Sequence, residues 1–269
     1  MIVVLGCNGM LGSMILEYGT RKSCNIIGLG RKEFDVLKDN ILKILNYIPN
    51  KDNVTIINCI GAIPQKKYKN IEFIILNSLF SHNLSELCKS RNFKLIHIST
   101  NCVFEGNKFR FFNEDDEPNN ENIYGKTKAL GEPKYGLTIR CSIIGPEIEG
   151  QYGLFDWFRN SEDQILPGYI DSYWNGVTTL ELSKIIFEML KDDNIMNDNK
   201  KIHVYSENIV SKYELLRIFN EIFYNGKKII PTYNGGKNKT CLLTSKIMKP
   251  CKNIKEQIIE LKTFLKKND

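Results

Sequence analysis

Histidine is scarce in this chain. There are three, His82, His97 and His203, and none is spaced with another ligand in the manner of a metal site, so no structural or catalytic metal is expected. The eight cysteines include no C-x-x-C pair. Several fall in apolar, strand-like runs and read as reduced packing residues, which argues against a disulfide scaffold or a redox pair. No apolar run approaches the length of a membrane span. Met1–Leu5 leads directly into glycine with no charged stretch and no cleavage site, so no signal peptide is expected and the cytoplasm is the expected compartment. The net charge of +6 is mild and dispersed. Its densest part is laced with Ile254, Ile258, Leu261 and Leu265 at helical spacing, as in a C-terminal amphipathic helix with a solvated lysine face. A basic stripe with stacking aromatics is missing, and with it the case for a nucleic-acid partner. No internal repeat or low-complexity linker interrupts the chain.

What is present is an ordinary globular composition, 42% hydrophobic and 25% charged over 269 residues, enough for one large α/β domain with a smaller annex. Ile2–Leu5 is a short β-branched apolar run, as a buried parallel strand should be. It meets Gly6-Cys-Asn8-Gly9-Met10-Leu11-Gly12 and then a helical pattern through Met14, Ile15 and Tyr18. A strand, a glycine-rich turn and a helix N-terminus together form a pyrophosphate site, because glycines admit the phosphate to the backbone and free N–H groups hold it. The spacing is G-x-x-G-x-x-G, not the usual G-x-G-x-x-G.

A second strand over residues 25–29 ends in Gly30-Arg31-Lys32. An acid there would grip the ribose hydroxyls of NAD; an arginine suits the 2′-phosphate of NADP. The first acid comes later, at Glu33, so Arg31 points to NADP(H). Phe34-Asp35-Val36 follows, then a helical pattern (Ile41, Leu42, Ile44, Leu45), a third strand over 54–58 and the small residues Cys59-Ile-Gly61-Ala62. Asn77 lies on a further helix. Strands alternating with helices at this interval predict a Rossmann-type doubly wound parallel sheet.

A fourth strand, residues 94–98, ends in Ser99-Thr100-Asn101-Cys102, at the sheet edge where open α/β folds bind ligands. His97 within it is expected to pack in the core. The acids between Asn113 and Pro118 read as a solvated turn segment. Tyr124-Gly-Lys-Thr-Lys128 then opens a helix, and i,i+4 spacing puts Tyr124 and Lys128 on one face. An ammonium beside a phenol is expected to draw the tyrosine pKa down from about 10 toward neutrality, at roughly 4 kcal/mol for three units.

The glycine turn, Arg31, Asn58 with Gly61-Ala62, Ser99-Thr100-Asn-Cys-Val-Phe-Glu-Gly106, Tyr124 to Lys128 with Gly131-Glu132, and Ile139-Arg140 occur in this order along the chain. Jointly they resemble the extended short-chain dehydrogenase/reductase superfamily, and within it nucleotide-sugar 4-ketoreductases related to dTDP-4-dehydrorhamnose reductase. The resemblance implies NADPH-dependent reduction of the C4 ketone of a 4-keto-6-deoxy sugar, with Thr100, Tyr124 and Lys128 catalytic. It implies cofactor contacts from Gly6, Asn8, Gly9, Met10, Leu11, Gly12, Arg31, Asp35, Val36, Cys59, Gly61, Ala62 and Asn77, besides Tyr124 and Lys128. Asn101, Cys102, Trp174 and Asn175 are the substrate-side candidates. Sugar 4,6-dehydratases of the superfamily carry Asp-Glu after the threonine where this chain has Asn101-Cys102, and 4-epimerases usually keep NAD. The rhamnose reductases usually read Ser-Thr-Asp-Tyr-Val-Phe, and often Thr-Ser-Trp after the arginine; this chain departs at Asn101, at Cys102 and after Arg140.

Residues 1–145 are expected to form the cofactor domain, rejoined by about 170–190, and 146–269 mainly the substrate domain. There Tyr152, Phe155, Trp157, Phe158, Tyr169, Tyr173 and Trp174 either pack as a core, as expected for Phe155 and Phe158, or wall a cleft. Trp174-Asn175-Gly-Val-Thr-Thr179 resembles reductases acting on UDP-linked 2-acetamido-2,6-dideoxy-hexos-4-uloses, so a UDP- or dTDP-linked sugar is the implied partner. A homodimer is compatible with the resemblance. A non-catalytic NADP-binding regulatory subunit of the same fold is the alternative, since fold does not fix function.

Overall fold

The structure, a computed structural model, describes residues 1–49, 52–106, 110–148, 150, 152–192, 194–195, 200–223, 226–235 and 241–266. Short β-branched runs become its central strands because their side chains can be buried on both faces. β1 (Ile2–Leu5), β2 (Ile26–Leu29), β3 (Thr55–Asn58), β4 (Lys94–Ile98), β5 (Leu137–Cys141) and β6 (Lys201–Val204) form one sheet in the order β6-β5-β4-β3-β1-β2. All its pairings are parallel. The chain passes from β1 to the edge strand β2, then crosses back to lay β3 on the other side of β1. The carboxyl ends of β1 and β3 therefore flank the point where strand order reverses, the place where such sheets bind ligands.

The helices in chain order are α1 (Met10–Arg21), α2 (Asn70–Ile74), α3 (Phe80–Arg91), α4 (Ile123–Leu130), α5 (Leu154–Asn160), α6 (Thr179–Met189), α7 (Lys212–Phe223) and α8 (Ile254–Lys266). Alternation along the strands decides which helix meets which face. Val4, Ile57 and Ile96 join Leu11 and Ile15 of α1 and Leu182 and Ile186 of α6 in one cluster. Val3, Leu5, Ile56 and Leu95 join Phe80, Leu84 and Cys88 of α3 in another. Val3, Val4, Leu5, Ile56 and Ile57 have no exposure at all, and each such burial stabilises by about 1.5–3 kcal/mol.

The pattern at Ile41, Leu42, Ile44 and Leu45, expected as α-helix, is a 3₁₀ helix over Ile41–Tyr47, with the Asn40 side chain capping Leu42 N at 2.9 Å. Three residues per turn align Ile41, Ile44 and Tyr47 against the core, which α-helical winding would not. Between α2 and α3 a π-helical turn, Ile75–Leu79, carries Asn77. The acidic loop is not wholly solvated. Glu114 accepts from His203 N and Lys246 N, each at 3.0 Å, and from the Ser245 hydroxyl, so it ties the loop to β6.

The second half of the chain contributes to both parts. Ile143–Ile144 pairs with Val177–Thr178, α6 packs on α1, and β6 adds the last sheet strand, so the return to the sheet extends past residue 190 to 204. The smaller part pairs Ile165–Tyr169 with Lys228–Thr232 and packs α5, α7 and α8 around Phe155, Phe158, Phe219, Ile254 and Ile258. Ser211 and Glu214 form a reciprocal capping box on α7 (Glu214 N to Ser211 Oγ 3.1 Å, Ser211 N to Glu214 Oε2 2.7 Å).

One buried ionic knot joins the sheet to α4. Arg140 of β5 donates to both oxygens of Glu132 at 2.8 and 2.7 Å, and Ser99 Oγ donates to Oε1 at 2.7 Å. Lys201 of β6 stands 3.4 Å from Oε2, and Arg140 lies 5.1 Å over the Phe104 ring. Burial by itself would raise the Glu132 carboxyl, but Arg140, Ser99 and Lys201 together hold it below its ordinary value. We expect Arg140→Ala to cost about 3–5 kcal/mol in urea unfolding, because it strands a buried carboxylate. A loss under about 1 kcal/mol would refute the knot's role. With a depressed folded pKa, the Glu132 contribution is present above the unfolded carboxyl value of 4.5 and is lost as the pH falls through the folded one. Acid unfolding of Glu132→Gln should accordingly be less steep than that of the wild type.

Candidate active site

The glycine turn delivers a bare helix end to the switch point. α1 starts after Gly9 with no side-chain cap and no acid in its first turn. The first helical bond recorded from Gly9 is made by Ser13 N, at 3.0 Å. The N–H groups of Met10, Leu11 and Gly12 therefore precede the helical ladder and, with the helix dipole, favour an anion. Gly12 is dictated by contact, since a Cβ there would lie 2.3 Å from Gly6 O. The Leu11 side chain belongs to the core, which leaves only its N–H for a ligand. Asn8 is exposed at the mouth of the turn, and the Met10 methyl lies against Gly153 at the start of α5.

At the end of β2 the guanidinium of Arg31 is exposed and donates to the Tyr68 hydroxyl at 3.0 Å. Glu33, though later in sequence, turns back so that its carboxylate accepts from Gly30 N at 2.9 Å. Both a cation and an anion thus stand where sequence spacing offered only Arg31. Asp35 accepts from Leu37 N at 3.0 Å and stands 3.5 Å from Lys38, and Val36 packs against the Ala62–Phe73 cluster.

After β3, Cys59 donates its N–H to Leu5 O at 3.0 Å, and the chain turns through exposed Gly61 and fully buried Ala62. Asn77, expected as a cofactor ligand, is fully buried and used as a brace. Its Oδ1 accepts from Ala62 N at 2.7 Å, and its Nδ2 donates to Ala62 O at 3.2 Å and Thr127 Oγ1 at 3.1 Å. The π-helical turn aims this amide, and so locks the Gly61–Ala62 bend to α4.

α4 puts Tyr124 and Lys128 one turn apart, as the spacing requires. Gly125 lets it approach: a Cβ there would lie 2.5 Å from Cys102 O. Lys128 is buried, donates to Ile98 O at 2.6 Å, and stands 3.9 Å from where a Gly61 Cβ would be. The ammonium therefore joins the ends of β3 and β4. Burial pulls it down to about 8, against the opposing pull of Glu132 one turn on.

Thr100 caps the short turn Asn101–Val103, its Oγ1 accepting from Cys102 N at 3.1 Å, and the Thr100 and Tyr124 hydroxyls are neighbours. The expected lowering of the tyrosine is not what the protein alone does. Tyr124 is half-buried overall, but its hydroxyl lies deep. Burial pushes its pKa up, the neighbouring Cys102 adds to the rise, and only the Thr100 hydroxyl opposes it. The Lys128 ammonium, which donates to Ile98 O, is not among the groups that act on the phenol.

On the substrate side two of the four candidates are braces. Asn101 Nδ2 donates to Cys241 O at 2.9 Å, and the Asn175 amide holds Leu243 through its O (2.7 Å) and N (3.1 Å). Trp174 is buried and donates to Ser142 Oγ at 2.7 Å, while Cys102 is half-buried beside Tyr124. Lys212, not a site candidate from the sequence, lies over the Trp174 ring at 6.0 Å. In the sequence it belongs to Ser211-Lys212-Tyr213, which opens a capping box and resembles a segment recurring in the substrate domain of the family named above. Among the described residues no three His, Cys, Asp or Glu side chains gather as a metal site, and no helix is long and apolar enough to cross a membrane.

Known proteins resemble this arrangement. A dTDP-4-dehydrorhamnose reductase of Mycolicibacterium smegmatis is 28% identical over 134 residues, 49% of this chain and 40% of that protein. A dTDP-4-keto-6-deoxy-D-glucose reductase of Streptomyces niveus is 25% identical over 207 residues, 70% of this chain and 68% of that protein. The chain thus spans well under two thirds of the first relative and just over two thirds of the second. The crystal structure of a Bacillus anthracis dTDP-4-dehydrorhamnose reductase in complex with NADP superposes with a TM-score of 0.83 at 18% identity, over 100% of this chain and 99% of that one, which shows a shared Rossmann-type fold. Residues 1–140 match the RmlD substrate binding domain family, and this protein therefore belongs to that family.

Proposed function

We propose that the protein uses NADPH to reduce the C4 ketone of a nucleotide-linked 4-keto-6-deoxyhexose. The observation that carries this reading is the Thr100–Tyr124 hydroxyl pair at the carboxyl end of β4, one helical turn from an ammonium set between the ends of β3 and β4. The crevice suits the cofactor chemically. The bare α1 N-terminus would take the pyrophosphate, Lys128 the nicotinamide ribose and Arg31 the 2′-phosphate. NADPH, when bound, supplies a hydride to carbon.

The chain's own groups manage the proton. Tyr124, whose burial keeps it protonated at neutral pH, donates to the oxygen that becomes an alkoxide, and Thr100 orients that oxygen through a hydrogen bond. The tyrosinate left behind is stabilised by the Thr100 hydroxyl.

For the sugar, the Trp174-Asn175-Gly-Val-Thr-Thr179 segment favours a UDP-linked 2-acetamido-2,6-dideoxy-hexos-4-ulose. A dTDP- or UDP-linked 4-keto-rhamnose comes next, in keeping with the dTDP sugars named for the relatives. Direct recognition by Asn101 and Asn175 is not part of this reading, because their amides are engaged within the protein. The reading implies a soluble, cytoplasmic enzyme of deoxysugar synthesis.

With this panel of UDP- and dTDP-4-keto sugars, we expect NADPH oxidation that Tyr124→Phe lowers about 10²–10⁴-fold in kcat. Turnover indifferent to that change would sink the catalytic assignment, and none on any sugar would favour a binding module. Arg31→Ala should weaken NADPH binding about tenfold and leave NADH unchanged; equal wild-type affinities for the two would overturn the role given to Arg31. Lys128 carries its charge below about pH 8 and loses it above. NADPH affinity, followed by fluorescence titration, should therefore decline as the pH rises through 8, and a flat profile would refute the ammonium's part in binding.

A further inference from the structure

A cation that the proposed proton transfer does not use opens α7, over the Trp174 ring. It is Lys212, whose N–H donates to Ser172 O at 2.9 Å and whose ammonium stands 6.0 Å from the ring centre. That ring is fixed from two sides. Its Nε1 donates to Ser142 Oγ at 2.7 Å, and a Cβ on Gly176 would come within 2.4 Å of it. The Lys212 ammonium is close enough to Cys102 to feel a charge on the sulfur, and so is the Tyr124 hydroxyl. Cys102, just after the end of β4, is thus a neighbour of both the Tyr124 hydroxyl and the Lys212 ammonium.

Among the described residues the buried cations have oxygen partners, whereas Lys212 is half-buried. Arg140 meets Glu132, Lys128 meets Ile98 O, and Lys227 meets the carbonyls of Ser161 and Asp163. Among the described residues no carboxylate or carbonyl is bonded to the Lys212 ammonium, and burial pushes its pKa below the ordinary lysine value. A desolvated ammonium that meets only an aromatic face is costly for the protein alone, and the cost is recovered when an anion arrives. In the substrate class proposed above the diphosphate is the anion, joined to the ring carbon that lies across the sugar from the ketone.

Resting on that reading, we propose that Lys212 receives the diphosphate of the nucleotide-sugar substrate, with Trp174, bonded to Ser142, supporting its side chain. Lys212 is then a binding and specificity residue, and it takes no part in the proton transfer.

Calorimetric titration of UDP, dTDP and the corresponding nucleosides tests this without turnover. The wild type should bind a nucleoside diphosphate at least tenfold more tightly than the nucleoside. Lys212→Met, which keeps the alkyl stem over Trp174, should lose about ten- to a hundredfold in diphosphate affinity. Lys212→Arg should keep most of it, and NADP affinity should be the same in all three. In the wild type, saturating diphosphate should also shield Lys212 from amine-directed acetylation read by mass spectrometry, a measurement that needs no variant. Diphosphate affinity unchanged in Lys212→Met, no preference for the diphosphate over the nucleoside, or undiminished acetylation would each overturn the proposal. If Lys212-dependent diphosphate binding persists while no 4-keto sugar is reduced, the reductase reading fails and the anion site stands.

Discussion

The Glu132–Arg140 pair carries the organisation of the site. A bidentate contact between fully buried charges is stable only when every remaining lone pair and proton finds a partner. Here the partners come from different elements: Ser99 from the end of β4, Lys201 from β6 and the Phe104 ring beneath the guanidinium. Satisfying one carboxylate therefore fixes the end of β4, the exit of α4 and the last strand pair together. Thr100 follows Ser99 directly, and Lys128 precedes Glu132 by one turn, so the knot that holds the fold also sets the two arms of the site.

A second constraint works through small residues. Gly12 and Gly125 stand where a single Cβ would collide with backbone oxygen, at 2.3 and 2.5 Å. Through the first, α1 presents its bare N–H groups to the crevice; through the second, α4 comes close enough for the Tyr124 hydroxyl to reach Thr100. Asn77 completes the set by joining the Ala62 bend to Thr127. Several residues that resemble ligands in the sequence are thus scaffolding one layer behind the crevice. The asparagines at 77, 101 and 175 each spend the amide on main-chain groups of a distant segment, which is how short loops from separate parts of the chain are held in register.

The electrostatics follow from depth. A phenol and an ammonium on one helix face were expected to share charge, yet in the protein alone burial dominates both. Tyr124 moves up, Lys128 moves down to about 8, and the Ile98 carbonyl takes the lysine proton's hydrogen bond. The pair is a protonated phenol one helical turn from a cation, and the sequence could not reveal these shifts because depth is not encoded in an i,i+4 interval.

By itself the sequence determined the parallel sheet, the glycine turn at the end of β1, the i,i+4 relation of Tyr124 and Lys128, and the placing of Thr100 at a strand end. These follow from local periodicity and from glycine's missing side chain, which any stretch of chain carries with it. Tertiary structure alone decided the rest. It wound residues 41–47 as 3₁₀, because three residues per turn match the groove they cover. It turned Glu33 back to the end of β2, made braces of the three asparagines, and carried Lys212 across the molecule to Trp174. Each of these depends on contacts between segments far apart in sequence, and their geometry exists only once the sheet has brought those segments together.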